Sequence, residues 1–153
     1  MRSLINLNKD LLEDYSAFSS VNENWSILSY LNYKYDLNSA LAFSKLFFPD
    51  FIINKGCIII DFLYSSKNLD EWYEEFNGNV SLTEKMCNLY EIKDFFHINS
   101  EDESEEKIKE FGGILQSAWK LNVAKLFPEI NVIIDLIDRD ESYYITLYTV
   151  DNI

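Results

Sequence analysis

The sequence predicts an α+β domain, with a small, mostly antiparallel sheet of about three strands and several helices packed on it. Three observations support this prediction. Apolar residues recur at helical spacing in the first third of the chain, a β-branched apolar run follows Gly56, and two strand-like runs flank a short polar turn near the C-terminus. No Pro-, Gly- or Ser-rich linker divides the 153 residues, so we expect a single globular domain over residues 1–153.

Three helices are predicted before residue 50. Apolar residues lie three and four positions apart from Leu4 to Phe18, and again from Trp25 to Tyr35. Asp36 can cap a third helix, which ends before Pro49. Because this third helix has little polar surface, we expect it to be the most buried of the three.

The rest of the chain predicts an inner strand, three more helices and a hairpin. The inner strand runs from Gly56 to Tyr64 and is expected to share one sheet with the hairpin strands. Gly112 and Gly113 weaken the last helix, so its acidic first half is expected to fray or kink in isolation. The other predicted elements are helices from Asn68 to Asn77-Gly78, from Ser81 to Tyr90 and from Ser100 to Phe127, and strands over Val132–Ile137 and Tyr143–Val150.

Net charge is the most informative feature of the composition. The chain has 26 Asp and Glu against 13 Lys and Arg, a net charge of −13, although 48% of its residues are hydrophobic. So much apolar mass can form a core, which leaves the excess carboxylates on the surface. Such a surface repels nucleic acid and anionic membranes and attracts basic proteins, so we expect a protein partner. The alternative is that the acidity serves only solubility.

The sequence also predicts a cytoplasmic protein. The first residues show no apolar core of a signal peptide, and no apolar run approaches the roughly 20 residues that span a bilayer. Cys57 and Cys87 are expected to be reduced core residues, since two cysteines provide no metal-ligand spacing.

Little in the sequence points to catalysis. His97 is the one histidine and has no nucleophile motif beside it, and the four glycines form no phosphate-binding loop. Asp61 and Asp135, each in an apolar run, are the alternative: a carboxylate pair for acid–base catalysis or for a divalent metal in a hydrolase. Strand alternation explains both more simply as solvent-facing or hydrogen-bonded side chains. We therefore expect no enzyme activity and no cofactor.

Two acidic clusters are the predicted partner-binding residues. In the helix predicted from Asn68, like charges lie four residues apart, which costs about 0.2–0.5 kcal/mol per pair, so helix stability does not account for them. The second cluster is either a segment that orders on a basic partner or an ordinary solvated helix N-terminus. The predicted residues are Asp70, Glu71, Glu74 and Glu75 in the first cluster, and Glu101, Asp102, Glu103, Glu105 and Glu106 in the second.

Several apolar segments form a pattern: Ala40–Pro49, the strand beginning at Gly56, Trp72, the helix from Ala118 to Pro128, and Ile145–Tyr148. This pattern resembles that of small bacterial immunity proteins from contact-dependent growth inhibition and related polymorphic toxin systems. The resemblance implies a cytoplasmic, non-enzymatic antitoxin that binds one toxin domain, often a basic nuclease, and blocks its active site or substrate groove. The resemblance supplies no fixed functional residues, so the prediction that the acidic clusters bind the partner rests on charge alone.

One further expectation follows from this interpretation. Exposed aromatic residues at Trp72, Tyr73, Tyr143 or Tyr144 would anchor the toxin. The alternative function is that of an acidic adaptor or regulatory protein without a toxin partner.

Overall fold

The computed structural model describes residues 2–98 and 103–150. This part of the chain has an α+β fold with two small antiparallel sheets, which confirms the predicted class. The chain divides into two compact units, Met1–Leu46 and Phe47–Ile153. The helices are α1 (Tyr15–Val21), α2 (Ile27–Lys34), α3 (Leu37–Phe47), α4 (Ser66–Glu75), α5 (Val80–Cys87) and α6 (Glu105–Leu126), and the strands are β1 (Phe51–Asn54), β2 (Cys57–Ile60), β3 (Tyr90–Glu91), β4 (Val132–Arg139) and β5 (Ser142–Thr149).

Short helices and a cluster of aromatic rings make up the first unit. Tyr15 and Tyr30 are buried, and their ring centroids lie 5.5 Å apart in an edge-to-face arrangement. The predicted helix from Leu4 to Phe18 is wrong over its first half, which contains only a 3-10 turn. Asp14 adopts a left-handed conformation with φ of 62°, which a continuous α-helix does not accommodate, so α1 begins after it.

Capping of α3 is as predicted, whereas its burial is not. The Asp36 carboxylate accepts hydrogen bonds from the Ser39 backbone N–H at 2.8 Å and from the Ser39 hydroxyl at 2.9 Å. No residue of α3 is buried, and Leu41 is 69% exposed. The prediction of the most buried helix was wrong because apolar composition does not determine what packs against a helix.

The second unit begins with a hairpin that was not predicted. β1 and β2 pair antiparallel, from Phe51 opposite Ile60 to Asn54 opposite Cys57. The Lys55-Gly56 turn between them has φ angles of 51° and 80°, the positive values that a two-residue type I′ turn requires. β2 ends at Ile60, where a 3-10 turn begins, so the strand predicted as far as Tyr64 is too long.

The C-terminal hairpin is confirmed. β4 and β5 pair antiparallel from Val132 opposite Thr149 to Arg139 opposite Ser142. Their turn, Asp140-Glu141, also has two positive φ angles, 55° and 60°. β5 is the central strand of this sheet, between β4 and the short β3.

The prediction that β2 shares a sheet with β4 and β5 was wrong, because β2 belongs to the separate two-stranded sheet. A buried side chain of the turn after α5 lies between the two sheets instead. Asn88 accepts a hydrogen bond from the Ile60 N–H at 2.9 Å and donates to the carbonyls of Ile58 at 2.9 Å and Leu147 at 3.0 Å. Side-chain hydrogen bonds thus replace a backbone ladder between β2 and β5.

Polar residues other than the predicted ones cap the helices of the second unit. The caps are Ser65 for α4, Asn79 for α5 and Ser104 for α6, each accepting a hydrogen bond from the backbone N–H three residues later. α6 is one uninterrupted helix, and Gly112 is buried within it. A Cβ on Gly112 would lie 2.9 Å from Leu136 Cδ1, so this glycine allows α6 to approach β4 closely.

Candidate functional site

Four exposed carboxylates lie on one side of α4: Asp70, Glu71, Glu74 and Glu75. At 100° per residue they occupy an arc of about 140°. The opposite side of the helix is apolar and includes the buried Leu69. We call these four residues the α4 acidic face.

Two lysines neutralise part of this face. Lys55 Nζ lies 2.6 Å from Asp70 Oδ1 and 5.0 Å from the centre of the Tyr73 ring, and Lys67 forms a looser ion pair of 3.7 Å with Glu71. The hydrogen bond to Asp70 raises the pKa of Lys55. Neither Glu74 nor Glu75 forms an ion pair within residues 2–98 and 103–150. The face therefore keeps an excess of negative charge.

Half of the α4 acidic face lies where the helix dipole opposes negative charge, and the other half lies where the dipole gives no support. Because α4 begins at Ser66 and not at Asn68, its first turn contains no acidic residue, and Asp70 and Glu71 lie beyond the turn where the helix N-terminus favours carboxylates. Glu74 and Glu75 are the last two residues of the helix. Carboxylates there are repelled by the partial negative charge of the last carbonyl groups.

Aromatic residues border the acidic face. The Trp72 and Phe76 rings stack, with centroids 5.5 Å apart and planes at 12°. The predicted anchors that are half-buried, with part of the ring accessible, are Trp72, Tyr73 and Tyr144. Tyr143 is only 5% exposed and donates a hydrogen bond to Glu105 at 3.1 Å, so its prediction as an exposed anchor was wrong.

Local contacts explain the described part of the second acidic cluster. Glu101 and Asp102 lie outside the described residues. Glu103 forms an ion pair with Lys107, and Glu105 accepts the hydrogen bond from Tyr143. Glu105 and Glu106 are in the first turn of α6, where the helix dipole favours negative charge. This arrangement supports the interpretation of the cluster as an ordinary helix N-terminus.

A buried carboxylate, Glu84 on α5, was not predicted as such. It accepts hydrogen bonds from the Ile58 N–H at 2.7 Å, from the Thr149 N–H at 2.6 Å and from the Thr149 hydroxyl at 2.7 Å. Burial raises the pKa of Glu84, and these hydrogen bonds oppose that shift only in part. Because its oxygens are engaged by β2 and β5, Glu84 holds the fold together and does not face a ligand.

The two cysteines are free thiols. Cys57 is buried, and desolvation raises its pKa to about 11. Desolvation also raises the pKa of Cys87. Since the thiolate is the reactive form, neither side chain is activated as a nucleophile.

The residues of the hydrolase alternative lie in different parts of the second unit. Asp61 is in the 3-10 turn after β2, and Asp135 is in the middle of β4 opposite Thr146. His97 is exposed, with Nδ1 3.0 Å from the Asp94 carbonyl oxygen. In residues 2–98 and 103–150, no group of three or more His, Cys, Asp or Glu is placed to hold a metal ion.

Among the described residues, no helix combines the length and the apolar character needed to cross a membrane. Comparisons of the chain with protein-family models, curated proteins and solved structures gave no match. The resemblance to immunity proteins stays a prediction, and the candidate site rests on the geometry of the α4 acidic face.

Proposed function

We propose that this chain is a non-enzymatic binding protein that recognises a basic protein partner through the α4 acidic face. The observation behind the proposal is the placement of four exposed carboxylates in the part of α4 where the helix dipole does not favour them. Residues that lower local stability on an exposed surface are more readily explained by binding than by folding.

The electrostatics of the chain fit this role. A net charge of −13 attracts a cationic partner over long range. Glu74 and Glu75, which form no ion pair within residues 2–98 and 103–150, provide a local target for Lys or Arg. Trp72 and Phe76, stacked beside the carboxylates, supply apolar area of the kind found at the centre of interfaces.

The partner class that best matches an acidic protein of this size is a toxin domain acting on nucleic acid in the cytoplasm. Such a domain carries a basic groove for phosphates, and the carboxylates of α4 would occupy those positions. Inhibition by occlusion requires no catalytic residue or cofactor in this chain.

The experiment is charge reversal in a salt series. A tight basic partner is first recovered with the parent protein from its native host and purified. The variant with Asp70, Glu71, Glu74 and Glu75 changed to Lys is expected to lose rapid association, and the parent association rate should fall steeply with salt, since the screening length is about 8 Å at 0.15 M.

A matched control separates local recognition from net charge. Changing Glu101, Asp102, Glu103 and Glu106 to Lys alters the net charge by the same amount and leaves the Tyr143 contact of Glu105 intact. This control should bind the partner more tightly than the α4 variant. Equal loss in both variants would mean that total charge, and not the α4 acidic face, governs association.

A further inference from the structure

The outer edge of β4 pairs with no other strand in the described part of the chain. The Val150 N–H donates to the Asn131 carbonyl at 2.9 Å, so Asn131 and every second residue after it direct their backbone groups toward β5. The backbone N–H and carbonyl groups of the intervening residues point to the open edge. These residues are Val132, Ile134, Leu136 and Asp138. Gln116 Nε2 on α6 donates to the Ile134 carbonyl at 2.9 Å, which agrees with this alternation.

A groove of about 450 Å³ lies beside the first half of this edge. One wall is a face of α6, and the other is the chain that leads into β4. Lys120 is the charged residue of its lining. Most of the lining is apolar and includes Val123, Ala124, Phe127, Ile130, Val132 and Ile134. Ile130 is 45% exposed, so the groove leaves apolar surface in contact with water.

The second half of the same edge is acidic. Asp138, Asp140 and Glu141 are exposed at the end of β4 and in the turn that follows. Arg139 pairs with Asp140 at 3.2 Å and offsets one of these charges. The edge thus changes along its length from apolar to negative.

We propose that the edge of β4 binds an extended segment of a partner protein as a fourth strand of the sheet. Backbone hydrogen bonds to Val132, Leu136 and Asp138 would supply affinity, and the groove would receive apolar side chains from one half of the segment. Lys or Arg in its other half would lie beside Asp138 and Asp140. The inference rests on the proposed function insofar as the segment belongs to the same basic partner.

A second copy of this chain matches the edge less well. Two identical strands related by a twofold axis pair antiparallel, so full pairing would set the apolar half of one β4 against the acidic half of the other. Pairing of the apolar halves alone would leave the rest of each edge open and would bring together two chains of net charge −13. A segment with one apolar and one basic half complements the whole edge.

A synthetic peptide tests the edge directly. The probe is an eight-residue peptide with blocked ends, Thr-Val-Thr-Val-Thr-Lys-Thr-Lys, together with its reversed sequence. At about ten times its dissociation constant, the peptide should slow amide exchange of Val132, Leu136 and Asp138 about tenfold. Amides of the β4–β5 ladder serve as the internal reference.

Two independent changes should abolish this protection. Val132→Pro removes an outward N–H without touching the ladder, a change that edge strands tolerate. Peptides methylated on alternate backbone nitrogens, in the two possible registers, leave the protein unaltered. The register that removes the N–H groups facing β4 should abolish protection, and the other register should keep it, so the test stands even if the Pro variant does not fold. No protection at millimolar peptide, or equal protection by both methylated peptides, would overturn the proposal.

The remaining outcomes separate this inference from the proposed function. Concentration-dependent dimers that Val132→Pro dissociates would assign the edge to a second copy and overturn the proposal. If the native partner tolerates Val132→Pro but not reversal of the α4 acidic face, the proposed function stands and the edge proposal fails. If the peptide binds at β4 and reversal of the α4 acidic face leaves partner binding intact, the proposed function fails instead.

Discussion

At the residue scale, the two polar side chains of Glu84 and Asn88 determine how the sheets of the second unit are joined. They lie four residues apart at the end of α5, and together they make six hydrogen bonds to β2 and β5. Buried backbone groups need partners, and here side chains supply them where no ladder connects the two sheets. This makes the pair sensitive to changes that preserve size but alter donors and acceptors.

Replacing Glu84 by Gln should destabilise the protein by about 1–3 kcal/mol. The amide NH₂ would face an N–H donor from Ile58 or Thr149, and that buried donor would lose its acceptor. Urea denaturation measures the difference. Glu23→Gln, at an exposed position in the turn between α1 and α2, is the control and should change stability little. Equal stability of both variants would show that the Glu84 hydrogen bonds contribute nothing net.

The same substitution gives a pH-dependence with a defined sign. Burial raises the pKa of Glu84, so the folded protein holds this proton more tightly than the unfolded chain. The resulting stabilisation is present at low pH and is lost as pH rises from the ordinary value of 4.5 through the folded-state pKa. Relative to Glu84→Gln, the parent should lose stability across this range in denaturation series at successive pH values. A gain in relative stability with rising pH would contradict the raised pKa.

At the element scale, the sequence predicted features that depend on local signals and missed those that depend on distant contacts. Helix ends at Pro49, Gly78 and Pro128 were predicted because these residues interrupt helical backbone locally. The β1–β2 hairpin is the exception: Lys55-Gly56 between two apolar runs is a local signal, but the hairpin was not predicted. No local signal indicated that β2 belongs to a separate sheet, because this arrangement depends on the hydrogen bonds that Glu84 and Asn88 make to β2 and β5.

For the candidate site too, local sequence signals predicted some features and not others. Exposure of the α4 acidic face was predictable from helical spacing. The true start of α4 was not, because Ser65 and Asn68 are both acceptable caps. The inward direction of Tyr143 follows from the register of β5 against its neighbours, which the sequence does not specify.

The adjacent glycines of α6 give a matched pair of variants. Gly113→Ala should raise stability by about 0.5–1 kcal/mol, because alanine favours the helix and nothing lies within 4 Å of the added Cβ. Gly112→Ala should be less stable than Gly113→Ala, because its Cβ would come 2.9 Å from Leu136 Cδ1 and 3.4 Å from Ile92 Cγ1. Thermal melts measure both variants, and equal gains would show that α6 and β4 separate freely.

Substitutions at the end of α4 test whether Glu74 and Glu75 lower stability and strengthen partner binding. Changing Glu74 and Glu75 to Gln should stabilise the protein by roughly 0.3–1 kcal/mol per residue, because it removes negative charge from the helix C-terminus. The same variant should bind the basic partner more weakly. Chemical denaturation and association kinetics on one preparation measure both effects. A loss of stability would mean that these carboxylates have a structural role.

At the scale of the whole molecule, the attraction within local ion pairs is set against the repulsion among the excess negative charges. The ion pairs of the described residues involve partly exposed side chains, such as Lys55 with Asp70 and Lys93 with Glu91. Exposed pairs of this kind contribute about 0–1 kcal/mol each. A net charge of −13 on 153 residues acts against them through repulsion that extends across the molecule at low ionic strength.

We therefore expect the melting temperature to rise with salt. Between about 0.01 M and 0.15 M NaCl the screening length falls from about 30 Å to about 8 Å, which weakens long-range repulsion more than short-range attraction. Each change from an acid to Lys adds two charges, so Lys at all four positions of the α4 acidic face brings the net charge from −13 to −5. That variant should show a shallower rise in the same series of thermal melts. A melting temperature that falls with salt in the parent would show that ion pairs, and not net repulsion, dominate its surface electrostatics.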